Sequence, residues 1–212
     1  EGLIADIRTE VARSRANVAP KTTRKFVDGG WLFEFPPFDL HLGKLAWGQE
    51  SVTDYDTNIA TDLFNQALDF LLERALAFTD SKIDRILCVF GNDVAHIDSK
   101  NAETTAGTHM DADTRYIKIY RRICEIHRRA VDVLRQVAPV DLVIVPGNHD
   151  ELTAFHLGEI LATRYEHDKH VSVNNSPRLR KYYEYGTNLF GFTHGDAEKV
   201  AELPLLMARE IP

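Results

Sequence analysis

A chain of 212 residues, 44% of them hydrophobic, is long enough for one sizeable core and too short for several full domains. Its formal net charge of −7 excludes a protein coated in positive charge, while leaving room for a local basic face that meets a polyanion. No stretch reaches the roughly 20 apolar residues of a membrane helix, the start lacks a signal-peptide apolar run, and the cysteines, Cys88 and Cys124, have no neighbour at metal or redox spacing, so a chain without membrane spans in a reducing, cytoplasmic setting is expected. Glu1 stands where a Met would, and Pro212 follows a helical pattern directly. Both ends read as cuts in a longer polypeptide.

Residues 1–30 are read as an amino-terminal helix and arm ahead of a main domain over 31–212. Leu3, Ile4, Ile7, Val11 and Ala12 recur at helical spacing, and the stretch from Arg13 to Lys25 is polar and basic. From Trp31 to Phe38 the chain is apolar and aromatic around Pro36 and Pro37, and it runs on to Asp39-Leu40-His41. Alternation in an extended chain places Asp39 and His41 on one side. Two such side chains suit a divalent cation, although an exposed polar edge gives the same pattern.

Ile59, Phe64, Leu68, Leu72 and Leu76 keep a period near 3.6, which predicts a long amphipathic helix ending near Thr79. Ile83 to Phe90 reads as a strand covered on both faces, and it stops on Gly91-Asn92-Asp93. Strand, helix and strand make a βαβ unit of an α/β fold. The long polar segment from Val94 to Thr114 carries His96, Asp98, His109, Asp111 and Asp113, suiting either a substrate-facing loop or local turns and caps. A helix follows from Arg115 to about Val137. Its outer face holds Arg115, Lys118, Arg121, Arg122, Arg128, Arg129 and Arg135, which either attract phosphate or simply face solvent. Arg115, beside the loop, is the one expected to reach a phosphate.

Leu142 to Val145 forms the next apolar strand, and Pro146-Gly147-Asn148-His149-Asp150 ends it on a turn at the sheet edge where α/β proteins place ligands. Asn148 or Asp150 could equally cap the following helix, predicted from Leu152 to Tyr165. Short strands are expected at Val171 to Val173 and at Lys181 to Tyr185. A last one, Asn188 to Thr193, ends on His194-Gly195. Four strand ends thus deliver Asp39 and His41, then Asp93, then Asn148 and His149, then His194. A shared metal site explains that repetition better than separate coincidences.

In order, Asp-x-His, Gly-Asn-Asp, Gly-Asn-His-Asp and His-Gly resemble the calcineurin-like metallophosphoesterase superfamily over about residues 31–200. Thr104-Thr105-x-Gly-Thr and Asp111-x-Asp113-x-Arg115 further resemble a bacteriophage-type branch related to DNA repair exonucleases. The resemblance implies a four-layer α/β/β/α sandwich with two mixed sheets flanked by helices. It implies that Asp39 and His41 hold one divalent ion, that Asp93 bridges two, and that Asn148 and His194 hold the second. His149 and Asp93 are then catalytic, with His149 near the phosphate, and Arg115 and His96 are expected to bind substrate. Asn92, inserted between Gly91 and Asp93, departs from the family pattern; Asp93 is taken as the bridge because Asn is a poor anionic one. The family's last motif, Gly-His-x-His, has no match before Pro212, and truncation is the favoured explanation.

The expected function is hydrolysis of phosphate esters by metal-activated water. Oxygen and imidazole ligands suit manganese first, with iron, zinc or magnesium as alternatives. A phosphodiesterase or nuclease acting on DNA or RNA is the first reading, with Tyr182, Tyr183 and Tyr185 available to stack on bases or to pack in the sheet. A phosphomonoesterase acting on a nucleotide or phosphoprotein, and a non-catalytic scaffold of the same fold, are the alternatives.

Overall fold

The computed structural model describes residues 30–80 and 82–211. The predicted amino-terminal helix and arm lie outside them. The described chain is α/β. Its elements run β1 (Trp31–Phe35), α1 (Gly48–Ser51), α2 (Thr57–Phe78), β2 (Ile83–Gly91), α3 (Tyr116–Leu134), β3 (Val140–Val145), α4 (Glu151–Arg164), β4 (Val171–Asn174), β5 (Lys181–Tyr185), β6 (Asn188–Phe192), a 3-10 turn at Val200–Glu202 and α5 (Leu203–Glu210).

Strands β1 to β4 form a parallel sheet in sequence order, and β5 and β6 pair antiparallel as a separate hairpin. The family resemblance implied two mixed sheets; the described residues form one all-parallel sheet and one two-stranded antiparallel ribbon. Helices α2, α3 and α4, which connect consecutive parallel strands, share one buried core with the sheet, and α2 packs on α3 and α3 on α4. Leu87, Val89, Val143 and Val145 cover the opposite face, with Tyr183 and Phe192 of the hairpin against them. Tyr183 also donates to Asp141 of β3 at 2.8 Å. On the far end, α5 is tied to the hairpin by Arg180 and Tyr182, both bonded to Glu210. No helix among the described residues is long and apolar enough to cross a membrane.

The long helix follows from its sequence. Asp56 caps it by accepting from the Asn58 and Ile59 amides at 2.7 and 2.8 Å. Ala60, Phe64, Leu68 and Leu72, spaced by four, are its buried stripe. It stops at Thr79, whose amide and hydroxyl both turn back onto the Ala75 carbonyl.

At the centre of the helix–sheet interface lies His127 of α3, fully buried between the rings of Phe64 and Phe90. Its Nδ1–H donates to the Ile123 carbonyl at 2.8 Å. Its Nε2 has no partner among the described residues, so the ring is held neutral, and burial pushes its pKa down to about 4. Unfolding restores a pKa near 6.5, so between those values the unfolded chain binds the extra proton and stability falls as pH falls. The full penalty below about pH 4 is on the order of 3 kcal/mol. Urea unfolding at pH 7.5 and pH 5 should show this loss, and His127→Leu should flatten it; equal slopes in both proteins would refute the assignment.

Candidate metal centre

All the predicted ligands leave from the carboxyl end of the parallel sheet, on the loops after β1, β2 and β3, or from the end of β6. Pro36 and Pro37 withdraw two amide donors and end β1 at Phe35 rather than Phe38. The expected extended alternation of Asp39 and His41 is therefore replaced. Both residues take left-handed backbone, with φ of 53° and 43°, and the segment runs beside the loop after β2. The amides of Asp39, His41 and Leu42 donate to the carbonyls of Asn92, Asp93 and Val94 at 2.8 to 3.0 Å. Asn92 and Asp93 are also left-handed, at φ 54° and 63°. Four such residues in two facing turns cost on the order of 1 kcal/mol or more each. Strain concentrated in this way is a mark of functional sites.

Asp93 is the centre of the cluster. It is 3% exposed, and its two carboxylate oxygens have different tasks. Oδ1 accepts the His149 amide at 2.9 Å, locking the turn after β3 to the turn after β2. Oδ2 lies 3.8 Å from His41 Nε2 and 3.7 Å from His194 Nε2. Asp39 Oδ1 stands 4.0 Å from the same His41 nitrogen. Two ligands each about 2.1 Å from a shared cation are at most about 4.2 Å apart, so these separations allow one ion among Asp39, His41 and Asp93. The ligand atoms of that trio all lie within 4.8 Å of one another.

The second trio is Asp93, Asn148 and His194. His194 Nδ1 is 2.6 Å from Asn92 Oδ1, and its Nε2 is 2.9 Å from Asn148 Oδ1. A neutral imidazole has one N–H. If Nδ1 donates to Asn92, then the Nε2 lone pair, the Asn148 carbonyl and Asp93 Oδ2 converge with no proton between them, which is the donor set of a cation. In that arrangement Asn92, which the sequence showed only as an insertion, would set the His194 tautomer. Asn92→Ala should weaken manganese binding by about 10- to 100-fold, read by isothermal titration calorimetry, whereas unchanged affinity would remove that role from Asn92.

Three imidazoles form the adjoining wall. His149 Nδ1–H donates to the His96 carbonyl at 3.0 Å, leaving its Nε2 as the free nitrogen. The His96 and His149 rings stack at 5.4 Å, and His41 meets both edge-on at 5.5 and 4.7 Å. His96 is 6% exposed, and burial together with its imidazole neighbours holds its pKa down at about 4. The pKa of His41 is also lowered, chiefly by burial, against the opposing pull of Asp93. The lowered pKa favours the neutral imidazole in both, which for His41 is the form a metal ligand takes. Arg115 sits exposed at the N-cap position of α3, outside this cluster.

Two supporting carboxylates were not legible in the motifs. Asp150 occupies the N-cap position of α4 without capping it. Its buried carboxylate instead accepts the amides of Asp93, Ala95 and Gly147 at 3.3, 2.9 and 3.1 Å. Burial pushes its pKa up to about 7, against those amides. Asp98 takes over the helix cap from 55 residues away, accepting from the Leu152 and Thr153 amides and the Thr153 hydroxyl at 2.7 to 3.0 Å. Thr105 joins it, donating to Asp98 and accepting the Glu151 amide. The sequence offered only a polar loop with caps as one reading; nothing in it points to α4 as the partner.

No protein-family model matches the chain, and no curated protein or solved structure matches it. Geometry and donor chemistry therefore carry the functional reading.

Proposed function

We propose that the protein is a dinuclear metal-dependent phosphoesterase of the calcineurin-like type, acting as a phosphodiesterase on nucleic acid. The observation that carries the reading is Asp93, with one oxygen bound to the His149 amide and the other between His41 and His194. An anionic side chain held in that way is suited to bridge two cations. In this reading the helices, the parallel sheet, the hairpin and α5 are successive layers of an α/β/β/α sandwich.

Asp39, His41 and Asp93 would hold one ion, and Asp93, Asn148 and His194 the other. Without a thiolate the donors favour manganese, with iron, zinc or magnesium as alternatives. Divalent ions bound there supply Lewis acidity to the phosphoryl group and lower the pKa of water. The chain's own contribution is to keep these ligands neutral or anionic and rigid, through Asn92, Asp150 and the paired left-handed turns. His149, its Nδ1–H held by the His96 carbonyl, has Nε2 available to protonate or hydrogen-bond the leaving oxygen. Arg115 offers charge-assisted hydrogen bonds to a phosphoryl group that reaches the rim, and His96 supports the substrate side through His149.

The test is ion content after manganese loading, together with hydrolysis of bis-p-nitrophenyl phosphate. Two ions and manganese-dependent turnover support the proposal. No bound ion would reduce the cluster to a relic and favour a scaffold. Turnover of p-nitrophenyl phosphate without turnover of diester or oligonucleotide would move the substrate to a monoester.

A further inference from the structure

An open cleft of about 930 Å³ lies along the outer side of α3, between the start of α2 and the end of α4. Its lining opposes the net charge of the chain. Lys118, Arg121, Arg122, Arg128 and Arg164 face only Asp113 and Glu125 among its charged residues. Arg122 is paired with Glu125 at 3.2 Å, and Arg128 and Arg164 share Asp132 at 3.5 and 3.8 Å. The side chains of Lys118 and Arg121 form no ion pair or hydrogen bond among the described residues, and both are exposed.

The arrangement of these cations selects the ligand. They do not converge on a point, as a small anion would require. Those of α3 recur at positions 118, 121, 122 and 128, spread over about 15 Å of helix axis. A row of that kind suits a linear polyanion with a repeating charge. Tyr120, stacked on Tyr116, lines the same cleft and supplies an aromatic surface of the sort on which bases stack. One lining residue ties the cleft to the segment that carries His41: Asp113 donates its amide to the carbonyl of Gly43, two residues after His41, and accepts the Thr57 amide at 3.1 Å.

We propose that this cleft is the track for the backbone of a single-stranded nucleic acid whose scissile phosphate lies at the metal centre. The inference rests on the phosphodiesterase reading, and its test is separable from that reading. Binding of a fluorescein-labelled single-stranded oligonucleotide is measured by anisotropy in EDTA, where no turnover occurs, over a range of salt concentrations. The pair Lys118→Glu and Arg121→Glu should weaken binding at least about 10-fold at low salt and reduce the slope of log K against log salt by about 1.4. Lys118→Gln with Arg121→Gln should give a smaller loss and the same change of slope, and it replaces the charge reversal if that variant unfolds at a lower temperature. Equal affinity and slope in variant and unsubstituted protein would overturn the track. So would an unsubstituted chain that binds no oligonucleotide, or one that binds only vesicles of anionic phospholipid. Hydrolysis of bis-p-nitrophenyl phosphate by the unsubstituted protein judges the metal centre alone, since that substrate is too small to reach the cleft.

Discussion

Asp93→Ala should lower manganese-dependent diester hydrolysis by at least about 10³-fold and reduce the bound ions from two to at most one. Removing this side chain takes away the one carboxylate among the described residues that approaches both His41 and His194, at 3.8 and 3.7 Å. It also removes the acceptor of the His149 amide, so some of the loss could come from a loosened turn. Asp93→Asn separates the two causes. Its amide oxygen can still accept from His149, while the neutral side chain cannot compensate two cations. Both variants should therefore be inactive, with Asn retaining more of the stability to urea. A rate equal to that of the unsubstituted protein would remove the enzymatic reading altogether.

Gly147→Ala should damage the same centre without touching a ligand. A Cβ at this position would fall well inside contact distance of Asp93 Oδ1 and the Asp93 amide, and 2.9 Å from Asp150 Oδ1. None of these atoms can retreat easily. Asp93 Oδ1 is held by the His149 amide, and the Asp150 carboxylate by three backbone donors. The turn must shift instead, at a cost of about 3 kcal/mol in urea unfolding and with manganese affinity reduced at least 10-fold. Gly107→Ala is the control. That glycine has open space around the Cβ position but a φ of +82°, so its substitution should cost about 1 kcal/mol and leave ion binding intact. Similar effects of the two substitutions on ion affinity would show that the close packing at Gly147 does not matter.

Much of the scaffold was legible because helix and strand burial leave a local, periodic trace. The stripe Ala60, Phe64, Leu68 and Leu72 and the apolar runs Ile86 to Phe90 of β2 and Leu142 to Val145 of β3 announce themselves within ten residues or so. Helix α4 and the strands β5 and β6 also fall where the pattern placed them. Where the reading failed, a local rule met a non-local partner. Alternation over 38–42 looked like a continuing strand, yet the prolines end the ladder and the loop after β2 supplies new backbone partners for a left-handed path. Asp150 looked like a helix cap, but three buried amides compete for its carboxylate, and Asp98 is free to cap in its place.

The α/β alternation, the apolar core and the chemical groups at the strand ends are legible in the sequence because each depends on residues close together in the chain. How those groups meet depends on contacts between distant segments. His194 and Asn92 are 102 residues apart and bond at 2.6 Å, and Asp93 reaches His149 across 56 residues. Such pairings leave no periodic signal. The left-handed turns that bring these side chains together cost energy locally, so they persist only where the packed surroundings impose them.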